Sequence, residues 1–367
     1  MFSNQSDISS FFVLLRYSVH ASDEWPEGMT EECWENSYEI ARQQSLLGVL
    51  FYGIQNRRMN HADDIMPERR LLLKWYLASE RIKQENIQAN KVVVKVERFF
   101  QMNGFRSCIL KGQGNSLIYP NPYIRMSGDI DIWLNGGRKK ILNFVNEGWK
   151  NCTIRYHHVE IPNFEGIPVE VHFTPSFMNA PWLNYKWQQW FKEHAEAQFS
   201  HVKELPDGRG MINTPTLDFN LIYQMNHIYR HLFSEGIGLR QLMDYYFLLK
   251  ANNGRCRLDD SISDLGMRKF AGAMMWVLRE VFGLEDEKLL VRPNEKEGRF
   301  LLREIMIGGN FGQYDMRLGK KDGEGIVRRY FRMTIRNLRI AFHYPAEALC
   351  EPVFRTWYFF WRMWHKH

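Results

Sequence analysis

The feature that most constrains how this chain can fold is a change in hydrophobic periodicity along its 367 residues. Before about residue 95 and after about residue 213, apolar residues recur every three or four positions, as in amphipathic helices. Between these stretches, short runs alternate apolar and polar residues, which is typical of half-buried strands. The pattern predicts an α+β protein, in which an N-terminal helical region (1–95) and a C-terminal helical region (213–367) flank a mixed-sheet core (96–212).

The amino-acid composition excludes several classes of protein. With 45% hydrophobic and 25% charged residues, the chain has the make-up of an ordinary folded soluble protein. Its five cysteines form no C-x-x-C pair, which argues against a disulfide framework or a thiolate zinc site and favours the cytoplasm. No run approaches the roughly 20 apolar residues of a membrane span, so no membrane partner is expected. The net charge of +6 suits a polyanion such as RNA, although a slightly basic solvated surface explains it equally well.

Four strands are predicted within the core. FRSCILKG (105–112) is a short apolar run that ends in Lys-Gly, and DIDIWL (129–134) alternates strictly. NCTIRYHHVEI (151–161) and GIPVEVHFTP (166–175) alternate as well. The short polar turn between these last two runs predicts that they pair in antiparallel fashion.

Asp129 and Asp131 lie two residues apart on the predicted strand DIDIWL. Side chains at positions i and i+2 of a strand point to the same face, so both carboxylates project together while the isoleucines enter the core. Two carboxylates this close repel each other, and a divalent cation between them relieves the repulsion. Oxygen ligands of this kind suit Mg²⁺ or Mn²⁺. The spacing favours a metal site, and a pair of solvated acids at a sheet edge is the alternative.

The segment KGQGNS (111–116) leaves the first strand and enters a short predicted helix. Gly112 and Gly114 would let backbone N–H groups approach phosphate oxygens, and a helix N-terminus favours an anion. Lys111 would add a positive charge to the same phosphates, and Ser116 a hydroxyl. The segment is therefore a candidate phosphate-binding turn, with a plain turn as the alternative. It is not a Walker A loop, because the required spacing of Gly, Lys and Ser or Thr is missing.

Glu170 and His172 alternate with three apolar residues in VEVHF (169–173), so the two polar side chains share one face of a strand. If this strand lies beside DIDIWL, Glu170 completes a triad of carboxylates with Asp129 and Asp131. His172 is interpreted more simply as a packing or surface histidine.

The run LKGQGNSLIYPNPYIRMSGDIDIWL (110–134) resembles the signature of the DNA polymerase β-like nucleotidyltransferase superfamily. Together with VEVHF and the later GLRQLMDYYFLL, it is most similar to a bacterial branch of largely uncharacterised nucleotidyltransferases. The resemblance implies a nucleotidyltransferase-fold core that binds a nucleoside triphosphate through metals on Asp129 and Asp131, with Glu170 as the third carboxylate. The sequence departs from the superfamily pattern in two ways. It has Gly-Gln where Gly-Gly or Gly-Ser usually follows the first strand, and Glu where the third carboxylate is more often Asp.

The resemblance implies a metal-dependent enzyme, using Mg²⁺ or Mn²⁺, that transfers a nucleoside monophosphate from a triphosphate such as ATP. The acceptor hydroxyl would belong to RNA, a protein or a small molecule. Arg125, four residues before Asp129, is a candidate ligand of the triphosphate, and a structural salt bridge is its alternative. A later helical segment that carries Arg230, Arg240 and Asp244 is expected to close over the nucleotide. Two other functions stay open, namely a catalytically silent nucleotide-binding or interaction module, and the toxin of a toxin–antitoxin pair.

Overall fold

The structure, a computed structural model, describes residues 5–20, 22–61, 65–317 and 325–364. Within these residues it contains fifteen α-helices, one five-stranded sheet and one two-stranded sheet. The helices are α1 Gln5–Ser18, α2 Glu31–Gln43, α3 Leu47–Asn60, α4 Arg69–Met102, α5 Gly112–Ser116, α6 Gly137–Gly148, α7 Pro181–Glu193, α8 Ala195–Gln198, α9 Leu217–Ser234, α10 Leu239–Asn252, α11 Asp259–Asp264, α12 Arg268–Phe282, α13 Glu295–Gly308, α14 Ile326–Ala341 and α15 Pro345–Trp364. The strands are β1 Ser107–Leu110, β2 Ile130–Leu134, β3 Thr153–Ile154, β4 His158–Phe164, β5 Ile167–His172, β6 Val202–Glu204 and β7 Met211–Asn213.

The larger sheet has the strand order β1-β2-β5-β4-β3. β2 and β5 run parallel, whereas β1 is antiparallel to β2, and β4 is antiparallel to both β5 and β3. A parallel pair needs a crossover connection, and the chain makes it through α6, β3 and β4. The predicted α+β class, with a mixed sheet between helical flanks, is confirmed, and so is the antiparallel pairing of the last two predicted strands.

The helical spacing at the start of the chain produces helices of different lengths. α2 and α3 are separate helices, because Ser45 adopts a positive φ of 58° between them. By contrast, the chain from residue 69 onward forms the single 34-residue helix α4.

The expectation of one strand over 151–161 is wrong. The backbone N–H of Arg155 donates to the carbonyl of His158 at 2.8 Å, which closes a tight turn. The turn divides the segment into β3 and β4, which pair with each other in antiparallel fashion. As a result, His158 becomes the first residue of β4 and faces the end of β5.

One face of the larger sheet is apolar and packs against α4 and α6. The cluster on this face includes alternate residues of three adjacent strands and the inner sides of the two helices. Its members include Val92, Val96 and Phe100 of α4, Ile141 and Val145 of α6, Ile130 and Ile132 of β2, Val169 and Val171 of β5, and Val159 and Ile161 of β4. Because strand side chains alternate, the polar residues between these positions project from the opposite face.

A second, larger apolar cluster joins the N-terminal helices to the C-terminal ones. It contains Leu14 of α1 and Trp34 of α2 together with Phe219 of α9 and Val277 of α12. The two helical flanks therefore pack against each other as well as against the sheet, while the division of the chain at residues 95 and 212 stays a prediction. Among the described helices, none combines the length and the apolar character that crossing a bilayer requires.

Candidate functional site

Three carboxylates line up across the polar face of the sheet. Asp131 of β2 lies directly opposite Glu170 of β5, and Glu170 lies directly opposite Glu160 of β4. We call these three residues the acidic row. Two positions further along β5, His172 is opposite His158 of β4, and we call these two the histidine pair. Like charges directly opposite each other destabilise a sheet, so the acidic row is an arrangement that needs positive charge.

Asp129 stands one residue before β2, at the open end of the acidic row. The negative charge of Asp131, with a further contribution from burial, raises the pKa of Asp129 to about 6. The two residues are at positions i and i+2 of an extended segment, which puts their side chains on the same face and accounts for this repulsion. Asp129 keeps access to solvent although the surrounding protein partly desolvates its carboxylate, whereas Asp131 is only 3% exposed.

Lys111 neutralises Asp131 from the neighbouring strand. Its Nζ lies 3.0 Å from Asp131 Oδ2, in an ion pair that is largely shielded from solvent. Burial by itself would raise the pKa of Asp131, but the Lys111 ammonium and a hydrogen bond with His172 outweigh it and hold that pKa well below its usual range. The backbone of Lys111 has φ +53° and ψ −133°, a conformation that L-residues rarely adopt. Lys111 is therefore both the residue with the strained backbone and the residue whose ammonium pairs with the buried Asp131.

His172 links two members of the acidic row. Its Nε2 lies 3.0 Å from Asp131 Oδ1 and 3.5 Å from Glu170 Oε2. Burial would lower the pKa of His172, but these two carboxylates outweigh it and raise the pKa. Because Asp131 is ionised and can only accept, Nε2 carries the proton. Nδ1 is buried and meets no hydrogen-bond partner among the residues that the structure describes.

Glu170 is the centre of the acidic row and remains partly open to solvent. Burial acts to raise its pKa, but hydrogen bonding with His172 and the nearby imidazoles lower it overall, so this carboxylate stays ionised at neutral pH. Ligand atoms of Asp131, Glu170 and His172 all lie within 4.8 Å of one another. Clustered carboxylates of this kind fit a divalent cation.

Two other predicted residues of the phosphate-binding turn lie in different surroundings. Gly112 has φ +40°, and a Cβ at this position would stand 3.8 Å from the carbonyl oxygen of Asp129. The turn therefore runs directly beside the start of β2. Ser116 is buried at the other end of α5, where its hydroxyl donates to the carbonyl of Gln113 at 2.8 Å. The structure does not bring Ser116 to the carboxylates, and its contact with phosphate stays a prediction.

Arg125 is buried and faces the C-terminal helices. Its Nε and Nη2 each donate to a carboxylate oxygen of Asp244 at 2.8 Å, and Tyr119 donates its hydroxyl to the same carboxylate at 2.6 Å. The structural salt bridge that the sequence left open is thus present. A role of Arg125 in binding the nucleotide stays a prediction.

The C-terminal helices bring further positive charge to the mouth of the site. Arg240 of α10 lies over the residue before Asp129, since a Cβ on Gly128 would be 3.6 Å from its Nη2. On α9, His227 Nε2 lies 3.4 Å from Lys111 Nζ. Arg230, one turn further along α9, places its guanidinium over the ring of Phe177 at 5.1 Å. Burial and the nearby Lys111 lower the pKa of His227 well below its usual range, so this imidazole is neutral. The cations beside the carboxylates are therefore Arg240 and Lys111, and positive charge at this position suits a polyphosphate.

The sequence interpretation missed Glu160 and His158. Both lie on β4 in an alternating run, HVEI, directly beside the strand that carries Glu170 and His172. The alternation predicted that they would share a face. Only the register between the two strands shows that this face is the one bearing the acidic row.

Comparison with known proteins gives a family but no individual relative. A family model described as "Uncharacterised nucleotidyltransferase" matches residues 30–283, which include the whole sheet and the helices that cover the site. Neither the curated proteins nor the solved structures contain a match to this chain.

Proposed function

Because this chain belongs to that family of uncharacterised nucleotidyltransferases, we propose that it transfers a nucleoside monophosphate from a nucleoside triphosphate to an acceptor hydroxyl, with Mg²⁺ or Mn²⁺ as cofactor. The observation that carries the proposal is the ion pair between Lys111 and Asp131, in which Lys111 Nζ lies 3.0 Å from Asp131 Oδ2. Phosphate chemistry needs both a cation for the phosphoryl oxygens and carboxylates that hold metal ions.

Asp129, Asp131 and Glu170 would hold the metal. The fit rests on the close approach of ligand atoms of Asp131, Glu170 and His172, and on the position of Asp129 two residues before Asp131, where the charge of Asp131 raises the pKa of Asp129. When bound, the metal would neutralise charge on the phosphoryl oxygens and make the acceptor hydroxyl more acidic.

The side chains themselves would bind the phosphates of the triphosphate and accept the proton of the acceptor hydroxyl. Lys111 and Arg240 would bind the phosphates beside the Gly112 turn, and Glu170 would accept the proton of the attacking hydroxyl. The acceptor oxygen forms a bond to the α-phosphorus while the bond to the bridging oxygen of the β-phosphate breaks. Pyrophosphate then leaves with the electron pair of that bond. Arg230, whose charge acts on Glu170 and Asp131, would add positive potential that favours the departing pyrophosphate.

Label transfer from an α-labelled nucleoside triphosphate tests the proposal. The full chain, with Mg²⁺ or Mn²⁺, is incubated with cellular RNA, cellular protein and a panel of small hydroxyl compounds. We expect label to enter one of these three fractions, and mass spectrometry to find one added nucleoside monophosphate. Asp131→Asn should abolish this labelling, whereas Asp260→Asn, a matched change at an exposed position of α11, should not.

One outcome would contradict the proposal, and another would exclude the toxin alternative. If the wild-type chain labels none of the fractions with any of the four triphosphates, a catalytically silent nucleotide-binding module is the better description. A toxin acting by nucleotide transfer predicts that expression toxicity, where observed, disappears in Asp129→Ala. Toxicity that persists in this variant excludes nucleotide transfer as its cause.

A further inference from the structure

We propose that His158, Glu160 and Glu170 form a second cation site, beside the Asp129–Asp131 pair, that binds a transition-series divalent cation such as Zn²⁺. The inference goes beyond nucleotide transfer and does not require it, although the two sites share Glu170. It rests on the register of two strands, β4 and β5, on the distances between ligand atoms, and on a buried nitrogen that has no partner in the described part of the chain.

The register of β4 and β5 creates a square of potential ligands. Glu160 is opposite Glu170, and His158 is opposite His172, two positions along the same pair of strands. All four side chains therefore project from one face of the sheet within two residue steps of each other. Strands hold this arrangement rigidly, because each residue is fixed by the hydrogen bonds of the sheet on both sides.

The distances between the ligand atoms of this cluster fit a shared cation better than they fit direct hydrogen bonds. His158 Nε2 lies 3.7 Å from Glu160 Oε1 and 3.6 Å from Glu170 Oε2, and both distances are too long for a hydrogen bond. Around a tetrahedral cation with ligand bonds of about 2.0–2.2 Å, neighbouring ligand atoms lie about 3.3–3.6 Å apart. The three ligand atoms also lie within 4.8 Å of one another. The cluster is therefore close to the size of a metal site before any side chain moves.

The state of His158 Nε2 is the observation that indicates a ligand. The residue is only 8% exposed, and this nitrogen has no hydrogen-bond partner in the part of the chain that the structure describes. The other ring nitrogen, Nδ1, lies 3.3 Å from His157 Nε2. When Nδ1 donates its proton to His157, the lone pair of Nε2 is directed towards two carboxylates. A metal-binding histidine has this arrangement, with one nitrogen fixed by a neighbour and the other free to bind.

Arg155 orients the second carboxylate without blocking it. Its Nε donates to Glu160 Oε1 at 2.7 Å, from the turn that precedes β4. A carboxylate has about four lone-pair sites, so Glu160 can accept from Arg155 and still bind a cation. The imidazole favours Zn²⁺ or another transition-series cation over Mg²⁺, which prefers oxygen ligands and binds imidazole poorly. Three protein ligands leave a fourth position for water or a substrate oxygen.

Co²⁺, a spectroscopic substitute for Zn²⁺, tests the site in the metal-free full chain without any nucleotide. Its visible absorption strengthens when imidazole and carboxylates replace water and the coordination number falls. We expect one strongly absorbing Co²⁺ per chain, displaced by equimolar Zn²⁺ but not by a large excess of Mg²⁺. His158→Gln and Glu160→Gln should each weaken binding by about 10-fold or more. Glu160 lies at the partly exposed edge, so this variant tests the site even if His158→Gln fails to fold.

Two control variants separate this site from its surroundings. Asp129→Asn should leave the Co²⁺ spectrum intact while it abolishes nucleotide transfer. His61→Gln, at an exposed histidine beyond the end of α3, should change neither. The inference is overturned if the wild type gives no strong absorption, or if both variants of the site titrate like the wild type. Such a result leaves the proposed transfer reaction intact, whereas Co²⁺ binding without any transfer would overturn only the proposed function.

Discussion

Arg125 and Asp244 form a two-pronged ion pair in the interior of the protein, with both donor–acceptor distances at 2.8 Å. The pair ties the loop before β2 to α10 across 119 positions of sequence. Arg240 stands one helical turn before Asp244 on the same helix, so the ion pair also determines where Arg240 lies relative to Asp129. Packing between the sheet and the C-terminal helices thus becomes part of the site's geometry.

Replacing Arg125 with methionine should lower the free energy of unfolding by about 3–5 kcal/mol, because it removes the cation that is hydrogen-bonded to the buried carboxylate of Asp244. Urea denaturation measures this effect. The double variant Arg125→Met/Asp244→Leu should recover part of the loss, since it removes the unpaired charge. An unchanged free energy of unfolding combined with a raised KM for the nucleotide would show instead that Arg125 acts as a nucleotide ligand.

Asp129→Asn should raise the melting temperature of the metal-free protein, although the proposed function predicts that this variant loses transfer. The folded-state pKa of Asp129, about 6, lies above the ordinary value of 3.8, so the folded protein holds this proton more tightly than the unfolded chain. The stability that this group contributes is complete below about pH 4 and is lost as pH rises through about 6. The advantage of the variant should therefore be absent near pH 4 and largest above pH 7.

Thermal melts of wild type and Asp129→Asn in a chelator, from pH 4 to pH 8, measure this difference. Asp260→Asn serves as the matched control and should follow the wild type throughout. An advantage that is independent of pH would mean that repulsion between Asp129 and Asp131 is not its source.

A comparison of two substitutions should show whether the backbone of Lys111 is strained. Lys111→Gly and Lys111→Ala both remove the ammonium that pairs with Asp131, so both should lose nucleotide binding. Only glycine adopts φ +53° and ψ −133° without strain, so the glycine variant should be the more stable by about 1–3 kcal/mol. Chemical denaturation gives this difference, and equal stabilities would contradict the strained backbone at Lys111.

His172→Asn should lower kcat/KM about 10–100-fold, which is the usual effect of removing a group that orients a metal ligand. The change takes away the N–H that holds Asp131 Oδ1 at 3.0 Å. Excess Mg²⁺ should restore part of the activity if His172 acts by positioning Asp131. His194→Asn, at an exposed histidine after α7, is the control for loss of a ring elsewhere. Activity that is lost equally at every Mg²⁺ concentration would indicate that His172 has a different role.

Much of the fold was contained in local patterns of the sequence. Alternation in DIDIWL and VEVHF predicted two strands and the face on which Asp131 and Glu170 lie, and both strands are found where expected. The pattern is reliable here because side-chain direction along a strand is a local property that repeats every two residues. By contrast, the break between β3 and β4 depends on one turn at Arg155, for which the alternating pattern gives no signal.

Sequence by itself determined the helical and strand regions, the family resemblance, and the pairing of Asp129 with Asp131 as neighbours on one face. Only the tertiary structure decided that β4 continues the acidic row with Glu160, that His172 bonds Asp131, and that Arg125 is bonded to Asp244. Periodicity fixes which face of an element a residue occupies, but it carries no information about which element lies next to it. That choice depends on strand register and on apolar packing between segments far apart in the chain.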